Sequence, residues 1–291
     1  MSMDASRLLA ALLVGLAGYA AARRFGGGWV GRFTRILFYY VIPPTIFMAV
    51  ASAPAANILL ILVAVSCIHM ALLLTPLLAL SSREPSRTTM ALLSGLPNVV
   101  FLAFPLSIAL YGTVTPVLPY AIALNMLLPV LLAVLGSWYG GDADAPSAYP
   151  HIAAFTAALI VKLFAPGLAS TIASIEPLHA LLSAANLSAF AAIGGELAGC
   201  SHILEPGVER VAFLRLVASP LLMLALLTPL SMLVKLPHVM IAGMLIQSVM
   251  PPAVANVILA RVYGLDSRLA ASSIAVLTPA SLVLAVAVAM A

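Results

Sequence analysis

Ten apolar stretches, separated by short breaks of glycine, proline and charged residues, dominate the hydrophobic pattern of the chain. The stretches lie at 8–22, 32–51, 57–80, 88–111, 116–139, 150–167, 177–200, 210–234, 238–261 and 268–290. Most of them approach the roughly 20 residues that a membrane-spanning helix needs. The pattern therefore predicts an all-α polytopic membrane protein with ten transmembrane helices, which we number as spans 1–10.

Composition supports this prediction and removes several functional classes. The chain of 291 residues is 64% hydrophobic and 8% charged, whereas soluble domains are nearer ~45–50% apolar and ~25% charged. A cytosolic enzyme and a nucleic-acid-binding protein are therefore excluded. The loops are too short for a large extramembrane domain, and the sequence carries no Gly-x-Ser-x-Gly or His-Glu-x-x-His motif. We expect no enzymatic activity and no cofactor.

The positions of the basic residues predict an orientation. If the N-terminus is outside and the chain crosses ten times, ten arginines fall on the inner side: Arg23, Arg24, Arg32, Arg35, Arg83, Arg87, Arg210, Arg215, Arg261 and Arg268. Only Arg7 and Lys235 fall outside, which fits the excess of basic residues in cytoplasmic loops. The prediction is a multi-pass plasma-membrane protein with both termini extracytoplasmic.

Short sequence matches at nearly constant separation indicate an internal duplication. The segment LLTPL at 73–77 recurs at 226–230, and Tyr111-Gly112 recurs as Tyr263-Gly264. Five spans per half is an odd number, so the second half must enter the membrane inverted. We therefore predict one repeat at 1–140, a short cytoplasmic loop at 141–149, and an inverted repeat at 150–291. Inverted repeats are typical of secondary transporters.

Spans 4 and 9 carry helix-breaking residues at equivalent places in the two halves. Span 4 contains Pro97, Asn98 and Pro105, and span 9 contains the segment QSVMPPAVAN at 247–256. Proline removes a backbone donor, and non-helical backbone in lipid is tolerated only where protein or a water-filled cavity covers it. The alternative is that these prolines only kink packed helices. The occurrence of such breaks at equivalent positions in both halves argues against that alternative. We predict a substrate site formed by Pro97, Asn98, Pro105, Gln247, Ser248, Pro251, Pro252 and Asn256.

Few ionisable groups lie inside the predicted spans, and an intramembrane charge is a functional hypothesis by default. Glu196 in span 7 and His69 in span 3 are candidates for ion coupling, although each also has a structural interpretation. Lys162 is expected to snorkel toward the outer interface, and Asn186 to form hydrogen bonds between helices. The broken segments contain no carboxylate. Amides and helix N-termini there favour an anion, while amide and carbonyl oxygens leave Na⁺ near Asn98 and Gln247 as an open possibility.

Three segments resemble the auxin efflux carrier family. The segment MPPAVANVILARVYGLDSRLAAS at 250–272 is similar to the C-terminal signature of that family. The segment LPNVVFLAFPLSIALYG at 96–112 is similar to its fourth span, and AIGGELAGC at 192–200 to its seventh. The chain departs from the plant carriers because it lacks their long cytoplasmic loop between spans 5 and 6. Glu196 is also unexpected in span 7.

The resemblance implies a bile-acid-transporter-like fold with broken, crossing spans 4 and 9. Spans 1, 2, 6 and 7 would form a scaffold, and spans 3–5 and 8–10 a core transport domain. It also implies a homodimeric carrier for a small organic anion, such as malonate, malate or an indole acid, that works by alternating access in an elevator or rocking motion. The alternative is a Na⁺-coupled organic-anion symporter of the bile-acid type; H⁺ coupling is also open. Besides the anion, the expected partner is the lipid bilayer.

Overall fold

The structure of the protein, a computed structural model, describes residues 5–52, 65, 68, 70–72, 74–75, 85–139, 149–199, 205–233 and 236–290. Its named helices, in chain order, are α1 (Ala5–Phe25), α2 (Val30–Ile36), α3 (Ile42–Ser52), α4 (Pro85–Gly95), α5 (Ala103–Tyr111), α6 (Leu118–Tyr139), α7 (Tyr149–Phe164), α8 (Pro166–Ala173), α9 (Glu176–Leu187), α10 (Ala189–Gly199), α11 (Val208–Ala212), α12 (Ser219–Leu233), α13 (His238–Ser248), α14 (Ala255–Val262) and α15 (Ser267–Met290). The predicted all-α class is therefore confirmed for these residues. The ten spans and the inverted repeat stay predictions.

Three segments of the described residues are long and apolar enough to cross a membrane. They are Glu176–Gly199, Val208–Met232 and Ser267–Met290. This finding agrees with a helical membrane protein. Spans 4 and 9 cannot reach the required length as single helices because each is interrupted: span 4 becomes α4 and α5, of 11 and 9 residues, and span 9 becomes α13 and α14, of 11 and 8 residues. Most of span 3 lies outside the described residues, as does the predicted loop at 141–148.

Two compact units make up the chain. The first contains the described parts of Met1–Ile58, Val100–Ile122 and Ala148–Gly199, and therefore helices α1–α3, α5 and α7–α10. The second contains the described parts of Leu59–Val99, Ala123–Ser147 and Cys200–Ala291, and therefore α4, most of α6 and α11–α15. Each of the interrupted spans supplies at least one half-helix to the second unit.

The extensive packing of α1 against α10 in the first unit depends on small residues. A Cβ atom added to Gly18 would collide with the backbone carbonyl of Ala191, and one added to Gly194 would collide with that of Gly15. The two helix backbones therefore approach more closely than any side chain at these positions would allow. Close approach through small residues is a common way for helices to associate in membranes, where no hydrophobic effect drives them together.

Polar side chains in the first unit satisfy backbone groups and join helices. Asn186 Nδ2 donates to Thr45 Oγ1 at 2.8 Å and to the Leu182 carbonyl at 2.7 Å, which confirms the expected interhelical hydrogen bond. Lys162 Nζ donates to the carbonyl of Val50 at 3.0 Å, in the last turn of α3. Its ammonium group therefore meets the negative end of a helix, where a cation is stabilising. That Lys162 snorkels to the outer interface stays a prediction.

Two π-helical segments each lie just before a proline. Leu37–Val41 precedes Pro43, and Phe213–Ala218 precedes Pro220. A proline ring inside a helix clashes with the carbonyl four residues earlier, and a widened turn gives that carbonyl more room. The helical path therefore continues past both prolines. The second segment also carries Arg215.

Because α1 and α10 meet backbone to backbone, Gly194→Ala should destabilise the protein. The added methyl group must push apart two main chains that cannot yield locally, and overpacking of this kind costs about 1–3 kcal/mol. Thermal unfolding in detergent should show a midpoint several degrees lower. Gly31→Ala is the matched control, because a Cβ atom at Gly31 meets nothing within 4 Å. Equal midpoints for the two variants would contradict the close approach.

Candidate functional site

The broken ends of the two interrupted helices pair with each other inside the second unit. After α4 ends at Gly95 and α13 ends at Ser248, the chain becomes extended, and Pro97 and Pro252 form an antiparallel bridge. The Asn98 N–H donates to the Pro251 carbonyl at 2.7 Å, and the Ala253 N–H donates to the Leu96 carbonyl at 2.9 Å. We call residues 96–99 and 247–256 the paired break.

The pattern of hydrogen bonds explains why prolines can lie at the centre of the paired break. In this type of antiparallel pair, the two residues that face each other exchange no hydrogen bonds, and their neighbours on either side do. Pro97 and Pro252 occupy the two facing positions, where a backbone N–H would have no partner on the other segment. The prolines therefore end the helices without removing a donor that the pairing needs.

Side-chain amides extend the pairing. Gln247 Nε2 donates to the Val99 carbonyl at 3.0 Å, and Asn256 Nδ2 donates to the Leu96 carbonyl at 2.9 Å. Asn98, Gln247 and Asn256 are 4%, 0% and 1% exposed. Carbonyl groups freed by the helix breaks thus receive donors from amides on the partner segment, which buried backbone requires.

The orientation of the Asn256 amide follows from its partner. Its nitrogen must face the Leu96 carbonyl, because two oxygens would repel each other there. Among the residues that the structure describes, none donates a hydrogen bond to Asn256 Oδ1, although this oxygen is buried. The Asn256 amide nitrogen, predicted to donate to the substrate, thus gives one hydrogen bond to the backbone. The amide oxygen is left as a buried acceptor.

Arg215 is the residue of this region that the sequence interpretation missed. Its side chain is 0% exposed. Five hydrogen bonds join the guanidinium to described residues: Nε and Nη2 to the Met250 carbonyl at 3.0 and 2.9 Å, Nη2 to the Ser248 carbonyl at 3.1 Å, Nη1 to the Ser94 carbonyl at 3.2 Å, and Nη1 to Ser219 Oγ at 3.3 Å. It therefore joins the end of α4 to the end of α13.

Arg215 was overlooked in the sequence because it was counted among the ten arginines of the inner side. Its side chain is fully buried, so it is not a solvated charge of a cytoplasmic loop, and nine of the ten arginines remain in that count. A usable signal was present in the sequence: Arg215 stands five residues inside the apolar stretch 210–234, where an ionisable group deserves the same functional hypothesis as Glu196.

Ser248 is also part of the paired break, and the other predicted residues are not. Ser248 uses its hydroxyl to donate to the Leu245 carbonyl at 2.7 Å, while its own carbonyl accepts from Arg215. Pro105 lies in the first turn of α5, where a missing N–H is harmless, and belongs to the first unit. The backbone of Glu196 is part of α10, also in the first unit. His69 lies outside the described residues.

Seven of the eight residues predicted for the substrate therefore meet in one place. The paired break brings together Pro97, Asn98, Gln247, Ser248, Pro251, Pro252 and Asn256. A scan against protein-family models finds no family that matches the chain, and a search of curated proteins finds no match. Function is therefore inferred from the geometry of this helical chain and from its sequence motifs.

The bridge makes opposite predictions for two neighbouring positions. Ala253→Pro removes the N–H that donates to Leu96, so we expect it to destabilise the protein by about 1–3 kcal/mol. Pro252→Ala keeps every hydrogen bond of the pairing and should change stability by less than about 1 kcal/mol. Thermal unfolding of both variants measures the difference. If Ala253→Pro is as stable as Pro252→Ala, the bridge is not present.

Proposed function

We propose that the protein is a membrane carrier that moves a small organic anion by alternating access, similar to the auxin efflux carriers. The observation that supports it most is the paired break, in which two interrupted helices meet with buried amides around them. Interrupted helices of this kind form the substrate and ion sites of many secondary transporters. We propose neither enzymatic activity nor a cofactor.

Charge favours an anion as the transported molecule. The paired break contains no carboxylate in its sequence, and the buried guanidinium of Arg215 adds a positive charge at the ends of α4 and α13. The half-helix α14 begins at Ala255, so the positive end of its dipole lies at the paired break. A carboxylate is the small anionic group that these features fit.

The Asn98 and Asn256 amides are the polar side chains we assign to the substrate. Each amide nitrogen carries two hydrogens, and Asn256 spends one on the Leu96 carbonyl. The second hydrogen is the donor that we assign to a carboxylate, with Gln247 in a supporting role. Malonate, malate and indole acids are the first compounds to test. Glu196 and His69 remain candidates for proton coupling.

The membrane arrangement belongs to the same proposal. We propose ten spans as two inverted repeats, insertion in the plasma membrane with both termini extracytoplasmic, and a homodimer. In the sequence, both halves carry a Tyr-Gly pair after their interrupted helix. The glycines of the two pairs, Gly112 and Gly264, both have a positive φ, of 73° and 63°. This correspondence supports the duplication, and the nine arginines that remain on the inner side support the orientation.

One observation favours a second candidate, a Na⁺-coupled organic-anion symporter. Asn256 Oδ1 is a buried acceptor, and no described residue donates to it. Hard cations such as Na⁺ prefer oxygen ligands, and broken helices provide them in known transporters. The two candidates differ in one measurable property, since uptake by a symporter collapses when K⁺ replaces Na⁺.

Transport by the purified chain in liposomes tests the function. We expect uptake of at least one carboxylate among malonate, malate and indole-acetate. Combining Asn98→Ala with Asn256→Ala should lower uptake per folded molecule about tenfold or more, because substrate donors are lost and each lost hydrogen bond is worth about 1 kcal/mol. Uptake is measured in Na⁺ and in K⁺ buffers of equal ionic strength.

Asn186→Ala is the matched control, because it removes a buried amide that bonds to Thr45 and Leu182 in the first unit. This variant should lose stability and keep its uptake per folded molecule. Uptake that survives the double substitution at Asn98 and Asn256 would contradict the site. A native chain that transports none of the three carboxylates in either salt would contradict the function.

A further inference from the structure

The guanidinium of Arg215 binds the same kind of oxygen that a metal cation would bind in a broken helix. Three backbone carbonyls accept from it, those of Ser94, Ser248 and Met250. The first two belong to the last turns of α4 and α13. Carbonyls at helix C-termini carry partial negative charge and lack a helical donor, and in many transporters such ends coordinate Na⁺.

The fit of this side chain is complete. A guanidinium has five N–H donors, and the five hydrogen bonds of Arg215 account for five donor directions. Burying a charge is costly unless partners surround it, and a fully bonded guanidinium meets that requirement. Removing the side chain would leave three buried carbonyls short of a donor at the ends of two different half-helices.

Covalent attachment distinguishes this cation from a bound ion. A metal ion holds helix ends together only as far as its concentration and affinity allow. Arg215 is attached to the π-helical segment Phe213–Ala218 and is fully buried, so its occupancy does not change with the surrounding salt. The ends of α4 and α13 are therefore held under all ionic conditions.

We propose that Arg215 is a built-in cation that takes the place of a coupling metal ion. It positions the two half-helices of the paired break, so that the second unit folds and binds its substrate without Na⁺. Substrate binding without Na⁺ rests on the proposed carrier function, whereas the positioning of the half-helices by Arg215 does not. Arg215 is a positioning residue, since its hydrogen bonds run to backbone carbonyls and to Ser219.

Unfolding midpoints of the full chain in detergent test the proposal, for the native protein, Arg215→Lys, Arg215→Gln and the control Arg210→Met. Arg210 lies one turn earlier, with its side chain 66% exposed beside Glu209. We expect Arg210→Met to match the native protein and Arg215→Gln to fall by roughly 10 °C, as expected from the loss of a buried, bonded charge. Arg215→Lys should lie between them, because an ammonium keeps the charge and has fewer donors.

The comparison of Lys and Gln separates charge from hydrogen bonding. If Arg215→Gln is as stable as Arg215→Lys, or if both match the native protein, the cation role is overturned. Failure of both variants to fold, with Arg210→Met folded, supports the positioning role; the salt comparison on the native chain then decides whether a metal ion is replaced.

Sodium dependence of the native chain is the second arm. Midpoints in NaCl, KCl and choline chloride of equal ionic strength should agree within about 1 °C, whereas a saturable rise specific to Na⁺ would overturn the proposal. Malonate, malate or indole-acetate should raise the midpoint equally in K⁺ and Na⁺ buffers. If the carboxylate raises the midpoint only in Na⁺ buffer, substrate binding without Na⁺ is overturned. No rise in either salt contradicts the carrier function and leaves the Arg215 comparison intact.

Discussion

Unsatisfied backbone at the two helix breaks is the constraint on which the second unit depends. Where α4 and α13 end, carbonyl and N–H groups leave the helical pattern, and lipid offers them no water. The structure satisfies them in three ways: a short antiparallel pairing, amides reaching across from Gln247 and Asn256, and the guanidinium of Arg215. Each depends on the others, because the pairing positions the carbonyls that the side chains reach.

Prolines and a widened helix make this arrangement possible. Pro97 and Pro252 occupy the facing positions of the bridge, where no donor is needed, and so stop the helices without weakening the pairing. The π-helical segment before Pro220 carries Arg215, whose side chain reaches the ends of α4 and α13. Helix-breaking residues thus help to position the ends of α4 and α13. A pair of half-helices with positive charge nearby fits the proposed carrier for a carboxylate.

Local features were predictable from sequence, and long-range partners were not. Prolines and glycines predicted both interruptions, because these residues disturb a helix at their own position whatever the rest of the fold is. Nothing local indicated that residues 96–98 pair with 251–253, or that Asn256 donates to Leu96, since those contacts join residues 153 to 160 positions apart. Arg215 was misplaced because counting charges by loop assumes that an arginine near a span end is solvated. The contact of Lys162 with the α3 carbonyls was not predictable either, because Val50 and Ala51 are distant from it in sequence.

Cross-linking tests the paired break most directly. Facing residues of this type of antiparallel pair have Cα atoms about 4.5 Å apart, within the range that a disulfide can bridge. Pro97→Cys together with Pro252→Cys, in a chain whose Cys67 and Cys200 are replaced by alanine, should therefore form an intramolecular disulfide in native membranes under mild oxidation. Cleavage between the two sites would then release no separate fragments until a reductant is added. Fragments that separate without reductant, from folded protein, would contradict the pairing.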